Sequence, residues 1–571
     1  MRITSLSLTN FRSFRSTQTI DFAPVTLLFG PNSVGKSSVL MALFYIQQIL
    51  DKGHCDPVRI DALGERDIGG FAALVNGKNL DNSITLKVEY ELGTSLGNDY
   101  ATFADDVEIP YQQLLMPDIS FTAEKVVVEL EIAWTYLLNT AYVKRYAVWL
   151  DDEFAGQIES DAGLKKAEIT AINFRHPLLV PMNHSPDNDE YMGFDWPDEP
   201  VDPNSEDAWV NDVRPIFTKF QEMLSAVTPG KVDENKATNY PQYTVNRRLG
   251  VKTEAGAIPL LGKTIETAID EVLPSFDNED YLNNLIIHRV LSQLFVYPLD
   301  QLKVLLKNSV CIGPIRTIPG SAFRPNPNPQ QGDWIDGTAA WDLLHKCDSQ
   351  LNAQVNHWLS AKKCFNSGYG LSSVVSKTFI EIKTGKSNDT GQMKQQLSEL
   401  IGRSVKDEEF DDVRYQEGVV LYDLKNRITL APNQVGSGIS QIIPVVTAAH
   451  HITKGIVAVE QPELHIHPAF QVEVGDLFTQ LDVNESRRPT FLIETHSEHL
   501  ILRLLRRIRN THSGALEDGL KPVRIEDVSV MYLSNDEGEV KIHKCPITED
   551  GDFEYDWPNG FFVEREEEIF S

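Results

Sequence analysis

The chain has 571 residues, enough for roughly three or four domains of ordinary size. Hydrophobic residues make up 42% of the sequence and charged residues 23%, so the composition excludes a wholly disordered, collagen-like or disulfide-stapled chain. The formal net charge of −30 repels phosphate backbones at long range, so any contact with nucleic acid requires a local basic patch or a partner protein.

The spacing of the cysteines and the hydropathy of the sequence further restrict the class of protein. The five cysteines lie far apart without a C-x-x-C pair, which disfavours a disulfide framework and a zinc site. The N-terminus alternates polar and apolar residues, unlike a signal peptide, and no apolar run approaches the ~18 residues that a membrane span requires. We therefore expect a soluble, cytoplasmic protein that makes no contact with a membrane.

The first 174 residues predict strands around one amphipathic helix. Residues 3–8 alternate in polarity, residues 25–29 form a buried run that ends at a glycine, and a helix follows from 36 to about 50. Four more alternating segments predict an antiparallel meander, at 84–92, 125–133, 141–150 and 154–158.

The amino-acid composition changes in the middle of the chain. The acidic, proline-containing stretch 186–212 predicts an exposed loop, most simply solvated and alternatively a docking site for a basic partner. Apolar residues at helical spacing near 206–226 and 279–307 predict a helical insertion. The segment 324–332, RPNPNPQQG, predicts a loop because helices and central strands do not accommodate its prolines.

The last third returns to alternating strands and helices. Buried strands are expected at 456–459 and 490–493, alternating strands at 528–533 and 539–543, and a short acidic helix at the end. The predicted units are an N-terminal lobe, an acidic loop with the helical insertion, a connecting α/β segment, a C-terminal lobe and a small C-terminal domain, at 1–174, 175–310, 311–430, 431–520 and 521–571.

A phosphate-binding loop is the strongest motif. Gly30 to Ser37, GPNSVGKS, fits G-x-x-x-x-G-K-[ST] and lies between a buried strand and a helix, where the chemistry requires it. Backbone N–H groups and the helix N-terminus bind phosphates, Lys36 reaches the β- and γ-phosphates, and Ser37 ligates Mg²⁺. The predicted nucleotide-binding residues of this loop are Asn32, Ser33, Gly35, Lys36, Ser37 and Ser38.

Two later strands end in polar residues. GIVAVEQPELHIHP places Glu460 at the end of a strand, where its carboxylate can bind Mg²⁺, and Gln461 and Glu463 follow within reach of a γ-phosphate and a water. TFLIETHSE places His496 after a parallel strand. Ligands of open α/β sheets bind outside the carboxyl ends of strands, so His496 is expected near the phosphates.

The run 435–444, VGSGISQIIP, opens another helix with glycine and serine and is a second potential anion cradle. One triphosphate does not need two cradles from one subunit. The run therefore favours a composite site, in which the phosphate loop of one copy and the Gly/Ser run of another enclose the same nucleotide.

In this order, the segments resemble the ABC-type ATPases of the SMC, RecF and OLD group. NFRSF at 10–14 is similar to the group's N-terminal motif, GPNSVGKSS to its Walker A, VGSGISQ to its signature, VAVEQPELHIHP to its Walker B and D-loop, and ETHSEHL to its H-switch. The tail WPNGFF at 557–562 and CIGPIR at 311–316 resemble bacterial AAA-type ATPases that end in a small domain of unknown function.

The resemblance implies an α/β fold, an ABC-type P-loop ATPase head assembled from the N- and C-terminal lobes, with an antiparallel β-rich part and a helical insertion. It also implies ATP and Mg²⁺ as cofactors and assigns the site residues. Ser37 and Glu460 would hold the metal and His496 would sense the γ-phosphate, while Arg12 would lie beside the nucleotide. The residues expected to reach the nucleotide of a second subunit are Gly436, Gly438 and Ser440.

The sequence departs from the group at the position after the Walker B acid. Many relatives have a second glutamate there, whereas this chain has Gln461, and an amide can orient water but cannot take its proton. Hydrolysis is therefore slow, or Glu463 is the base. The glutamine of the Q-loop is not located, since Gln47 and Gln48 come too early.

The favoured function is an ATP-gated homodimeric sensor or regulator, in a bacterial anti-phage or DNA-maintenance system with a separate nuclease or toxin as effector. The alternative is a RecF-like repair ATPase that binds DNA directly, and a transporter subunit fits poorly. No nuclease centre is recognised in the sequence. Basic residues that are either solvated or face DNA or a partner occur at Arg503, Arg506, Arg507, Arg509, Arg247, Arg248, Lys362 and Lys363.

Overall fold

The computed structural model of the chain describes residues 1–92, 123–174, 176, 220, 224, 243–269, 278–320, 323–346, 349–380, 412–481, 488–555 and 557. Within these ranges the fold consists of three sheets and the helices packed against them. The acidic loop predicted at 186–212, most of the helix predicted near 206–226 and the acidic helix predicted at the end lie outside the described residues.

An eight-stranded antiparallel sheet comes from the first half of the chain. Its strands are β1 (Arg2–Thr9), β2 (Gln18–Asp21), β4 (Ile84–Glu91), β5 (Lys125–Thr135), β6 (Thr140–Leu150), β7 (Glu153–Ser160), β8 (Ala167–Ile172) and β9 (Thr244–Val251). They lie in the order β2-β1-β4-β5-β6-β7-β8-β9.

The predicted meander is confirmed by β4 to β7. One part of the prediction for 175–310 is wrong, because β9 is a strand that pairs with β8 and completes this sheet. Its sequence TVNRRLGV has little apolar alternation, so its pairing is decided by the neighbouring strand more than by its own pattern.

A six-stranded sheet joins segments from both ends of the chain. Its strands are β3 (Val25–Phe29), β10 (Val310–Ile312), β14 (Ile456–Glu460), β15 (Thr490–Glu494), β16 (Val528–Asp536) and β17 (Glu539–Lys544). The order is β10-β14-β15-β3-β16-β17, parallel except for β17. Since β16 and β17 belong to this sheet, the expectation of a separate small domain at 521–571 is wrong for that part of it.

A three-stranded antiparallel sheet contains β11 (Tyr369–Ile380), β12 (Asp412–Asp423) and β13 (Ile428–Leu430). The helices are α1 (Lys36–Lys52), α2 (Phe71–Leu74), α3 (Asn278–Phe295), α4 (Tyr297–Lys307), α5 (Thr338–His345), α6 (Ser349–Ser360), α7 (Ser437–His451), α8 (Pro468–Thr479) and α9 (Glu498–His512). Among the described helices, none has the length and apolar character needed to cross a bilayer.

The six-stranded sheet is the middle layer between two hydrophobic cores. Alternate residues of β3 face opposite cores: Leu28 packs with α1 and the eight-stranded sheet, whereas Leu27 and Phe29 pack with the C-terminal helices. Residues 38–50 of α1 are all buried, because α1 is covered on both sides by sheets. The helix that follows the phosphate loop is therefore held rigidly inside the protein.

A buried ion-pair network joins α8 to α9. Arg503 and Arg507 both donate to the carboxylate of Asp476, with N–O distances of 2.6–2.9 Å, and Arg507 and Asp476 are 2% and 1% exposed. Neither interpretation of these two arginines as a solvated face or a DNA-facing patch is correct. Arg506 lies 3.8 Å from Glu517 on the surface, and Arg509 is exposed.

We predict that Asp476→Asn destabilises the protein by about 3 kcal/mol or more, because it leaves two arginines without their buried carboxylate. The surface change Glu517→Gln is the matched control and should cost less than about 1 kcal/mol. Thermal and urea unfolding of both variants measure the difference, and equal stability of the two would contradict the structural role given to Asp476.

Candidate functional site

The phosphate loop starts where β3 ends and is closely backed by β16. Gly30 has φ 142°, and a Cβ there would lie 2.4 Å from the carbonyl oxygen of Leu533, so only glycine fits. Asn32 and Ser33 are exposed, while Ser38 is buried in the first turn of α1. Gly35 precedes the first helical residue, Lys36. The backbone N–H groups at the start of α1 thus face the loop's interior, as anion binding requires.

Lys36 lies under this loop and is 3% exposed. Its Nζ donates to the carbonyl oxygens of Gly30 and Pro31, both at 2.9 Å, and lies 3.7 Å from a carboxylate oxygen of Glu494. Burial lowers the pKa of Lys36, and the charge of Glu494 partly offsets that effect. The ammonium group is therefore held in the loop by weak partners that a phosphate could replace.

Two carboxylates stand side by side at the carboxyl edge of the sheet. Glu460 ends β14 and Glu494 ends β15, and the two residues are partners in the parallel register. Ser37 donates its hydroxyl to Oε2 of Glu494 at 2.9 Å and also interacts with the carboxylate of Glu460. Two carboxylates and a hydroxyl are hard oxygen donors, the set that Mg²⁺ prefers. Ser37, Glu460 and Glu494 therefore fit a magnesium ion.

Burial next to a second carboxylate raises the pKa of Glu460. The cause is first its desolvation and then the charge of Glu494, and together they bring the pKa to about 7. Arg66, whose Nη1 lies 3.8 Å from Oε1 of Glu460, acts in the opposite direction. No group of three or more His, Cys, Asp or Glu side chains placed to hold a metal occurs in the described ranges.

Glu463 is fixed against the end of β15. Its Oε2 accepts the hydroxyl of Thr495 at 2.8 Å, and its Oε1 accepts the backbone N–H of His496 at 2.7 Å. Burial raises the pKa of this carboxyl group. Both oxygens thus position the segment that carries His496, which disfavours Glu463 as a free proton acceptor. Burial, and then the charge of Lys36, lowers the pKa of His496.

Arg316 ties the end of β14 to α7 and is 2% exposed. Its Nη2 donates to the carbonyl oxygens of Glu460 and Gln461 at 2.9 and 3.2 Å. Its backbone exchanges hydrogen bonds with the side chain of Gln441 in α7. Gln461 has φ 46° and donates its N–H to the carbonyl oxygen of Glu494, so its backbone is held from both sides.

The Gly/Ser run forms the start of α7. Gly436 and Ser437 are exposed, and a Cβ at Gly438 would lie 2.7 Å from the carbonyl oxygen of His465. Ser440 is fully buried and donates its hydroxyl to the carbonyl oxygen of Pro432 at 2.6 Å. The prediction that Ser440 reaches a second subunit's nucleotide is therefore corrected. Ser437, one helical turn earlier, presents the exposed hydroxyl.

The N-terminal residues predicted from the sequence lie in different settings. Arg12 lies against α1 with Nη1 2.8 Å from the sulfur of Met41, and burial together with the nearby charge of Arg66 lowers its pKa. Gln47 and Gln48 are buried, and Gln47 donates to the side chain of Gln331. These two glutamines are structural, in agreement with their early position in the sequence.

Sequence reasoning missed Glu494, Ser437 and Arg66 as site residues. The rule that ligands bind outside the carboxyl ends of parallel strands placed the end of this strand near the phosphates, but the role went to His496 and not to Glu494. Ser437 could have been found from helix phase, because residue 440 lies one turn into α7. The sequence around Arg66 carries no such signal.

Family models match both lobes. Residues 1–172 match the model described as "AAA ATPase domain", and residues 325–503 match "AAA domain, putative AbiEii toxin, Type IV TA system". A curated relative, the DNA replication and repair protein RecF of Chloroflexus aggregans, is 40% identical over 78 residues. That match covers 13% of this chain, and the chain spans only 20% of the relative's length.

Matches among solved structures include two SMC heads. One is the SMC head bound to the C-winged helix domain of ScpA, with a TM-score of 0.37 and 9% identity over 96% of this chain and 98% of that one. Another is the SMC head domain from Thermotoga maritima, with a TM-score of 0.33 and 9% identity over 95% and 99% of the two chains.

The pKa of Glu460 predicts how stability depends on pH. Because the folded-state pKa of about 7 lies above the ordinary value of 4.5, the folded protein keeps a proton that the unfolded chain releases. This contribution is complete below pH 4.5 and is lost as pH rises through 7, by up to about 3 kcal/mol. In EDTA, the melting temperature of Glu460→Gln should therefore fall less between pH 5 and 8 than that of the wild type. Glu526→Gln, on the surface, should behave like the wild type, and an identical decline in all three would contradict the assignment.

Proposed function

We propose that the chain is an ABC-type ATPase of the SMC and RecF type, in which two copies bind ATP and Mg²⁺ between them and hydrolyse the ATP slowly. The proposal is carried by one observation: the predicted phosphate, metal and γ-phosphate ligands lie together at the carboxyl ends of neighbouring parallel strands. These residues are Lys36, Ser37, Glu460, Glu494 and His496. The exposed start of α7 at Gly436 and Ser437 supplies donors for a phosphate that belongs to a second copy.

The loop binds the phosphates through its own backbone and Lys36. On ATP binding, the ammonium group of Lys36 exchanges the carbonyl oxygens of Gly30 and Pro31 for phosphate oxygens. The exchange is favourable because a charge-assisted hydrogen bond to phosphate is stronger than one to a neutral carbonyl. His496, whose pKa is lowered, is neutral at pH 7 and donates one hydrogen bond to the γ-phosphate.

Ser37, Glu460 and Glu494 would hold Mg²⁺, which would supply positive charge to neutralise the phosphates. The raised pKa of Glu460 falls when a cation replaces its proton, so ion binding and deprotonation are coupled. Arg66 is the countercharge of Glu460 without the ion and is half exposed, so it is free to turn away.

Slow turnover follows from the residues next to Glu460. Gln461 orients water but cannot accept its proton, and the two oxygens of Glu463 accept from Thr495 and His496. The site therefore encloses a nucleotide more readily than it cleaves one. A long-lived ATP-bound dimer suits a switch better than a motor.

We assign the switch to a defence system in which another chain is the effector. The match of residues 325–503 to a model described by a type IV toxin–antitoxin system supports this setting. Two arginines of α9, Arg503 and Arg507, donate to Asp476 and are therefore not available to bind DNA phosphates. This supports a protein partner over DNA. The protein is proposed to act in the cytoplasm.

A second candidate is a RecF-like ATPase that binds DNA directly, and the 78-residue match to RecF favours it. Salt-dependent binding of duplex DNA by the isolated protein would support this candidate. Stable co-purification with a nuclease or toxin, without DNA binding, would support the effector-controlling switch.

Mixing two inactive variants tests the composite site. Lys36→Ala should abolish ATP binding, and Ser437→Arg should keep ATP binding but block closure on the partner's phosphate. In a one-to-one mixture, each mixed dimer has one site with both changes and one site with neither. We expect roughly a quarter of wild-type turnover to return, since half of the dimers are mixed and one of their two sites is intact.

The controls for this experiment are available in the same chain. Lys52→Ala, at the exposed end of α1, should bind ATP normally. A chain carrying both Lys36→Ala and Ser437→Arg should rescue neither single variant. Tight ATP binding by Lys36→Ala would refute the loop assignment, and the absence of recovery in the mixture would refute the shared site.

Glu463→Gln tests whether this residue positions His496 or accepts a proton. The amide NH₂ cannot accept from the N–H of His496 or the hydroxyl of Thr495, so we expect turnover to fall about tenfold without a change in the shape of its pH profile. Thr495→Val should have a similar effect, and the double variant should be no worse than either single one. Loss of the acidic limb of the profile in Glu463→Gln alone would make Glu463 the base.

A further inference from the structure

A cavity lies away from the phosphate loop, on another part of the protein. It has a volume of about 910 Å³ and opens between α6, the last turns of α7 and α8, and the segment 519–521. Both α7 and α8 end here and then lead into the amino ends of β14 and β15. The cavity, here called the rear groove, is therefore at the opposite edge of the sheet from the nucleotide site.

The rear groove is lined by positively charged side chains, although the protein as a whole is acidic. Lys362, Lys363 and Lys521 line it, and among the described residues of its lining Asp476 is the one carboxylate. Asp476 is already neutralised by Arg503 and Arg507. Within the described part of the chain, Lys362 and Lys363 form no ion pair, and the ammonium group of Lys363 donates to the carbonyl oxygen of Asp518 at 2.6 Å.

The inner wall adds imidazole and amide groups. His450 lines the groove beside Trp358, and neither of its ring nitrogens has a hydrogen-bond partner within the described residues. Burial and then the charge of His357 lower the pKa of His450 to about 4, so its ring is neutral and can donate one hydrogen bond and accept one. Gln354 contributes a further donor and acceptor, whereas the amide of Gln480 is already bonded to the backbone of Lys521.

We propose that the rear groove binds a small phosphorylated anion that regulates the ATPase. The groove has the volume of a small-molecule site, which ranges over about 300–1,000 Å³. Phosphate oxygens suit its lysines, and an uncharged part of the ligand suits Trp358, His450 and the amides. The groove thus differs from the phosphate loop in using side chains instead of backbone N–H groups.

The helices connect the two sites. The 15-residue helix α7 begins at Ser437 and ends at the groove, a length of about 22 Å. Helix α8 begins just after the Glu463 segment and also ends at the groove. Arg316 ties α7 to the backbone of Glu460 and Gln461. A ligand that draws α6 toward α7 and α8 would therefore shift the residues that enclose the nucleotide, and this regulatory step rests on the proposed function.

Pyrophosphate binding to the Lys36→Ala protein tests the groove separately from the nucleotide site. Isothermal titration calorimetry should show one saturable site per chain. The double charge reversal Lys362→Glu, Lys363→Glu should weaken binding by about tenfold or more, and Lys425→Glu, an exposed lysine in the β12–β13 turn, should leave it unchanged. Circular dichroism confirms that each variant is folded.

Absence of binding, or equal affinity in the double charge reversal, would overturn the proposal. Stronger binding of a poly-glutamate peptide than of pyrophosphate at the same lysines would also overturn it, in favour of an acidic protein segment. In the wild type, pyrophosphate should change kcat at saturating ATP by at least about twofold, and the double charge reversal should remove this effect. An unchanged kcat would overturn the regulatory step alone, whereas absence of any ATP turnover would refute the proposed function and leave the binding result intact.

Discussion

The parallel pairing of β3 between β15 and β16 is the constraint on which the nucleotide site depends. The phosphate loop takes its position from the end of β3, and Leu533 in β16 closes the space behind Gly30. On the other side, β15 brings Glu494 to within hydrogen-bonding distance of Ser37, and β14 adds Glu460 in register. Loop, carboxylates and histidine therefore share one sheet edge, and a shift of one residue in register would separate the carboxylate pair.

Charge at this edge is balanced by groups that can exchange partners. Lys36 is held by neutral carbonyl oxygens, and a half-exposed arginine offsets only part of what raises the pKa of Glu460. The pKa shifts of Lys36, Glu460 and His496 all favour the neutral form of the group. The polar groups that position the backbone behave differently. Arg316 is buried and donates to main-chain carbonyl oxygens, and Glu463 accepts from the backbone N–H of His496 and the hydroxyl of Thr495. The site therefore combines a fixed frame with exchangeable charges.

The sequence predicted those elements whose structure is determined by a few neighbouring residues. The strand at 25–29 and the helix that begins at Lys36 have the predicted positions, because a buried apolar run, a glycine turn and an amphipathic run each act over a few residues. Longer-range features were missed. Parallel pairing with β3 made β16 part of the central sheet and antiparallel pairing with β16 added β17, while Asp476 turned two arginines inward from another helix. Ser440 was misassigned because its exposure depends on helix phase and on what packs against α7.

The six-stranded sheet combines strands from both ends of the chain, and this has a consequence for folding during translation. Residues 25–29 leave the ribosome early, yet both strands that flank them are synthesised only near residues 490 and 530. A nascent chain therefore has no nucleotide pocket during most of its translation, and its apolar β3 must be shielded until the partners arrive. Products truncated before residue 490 lack both strands that flank β3, so their phosphate loop has no sheet edge to support it.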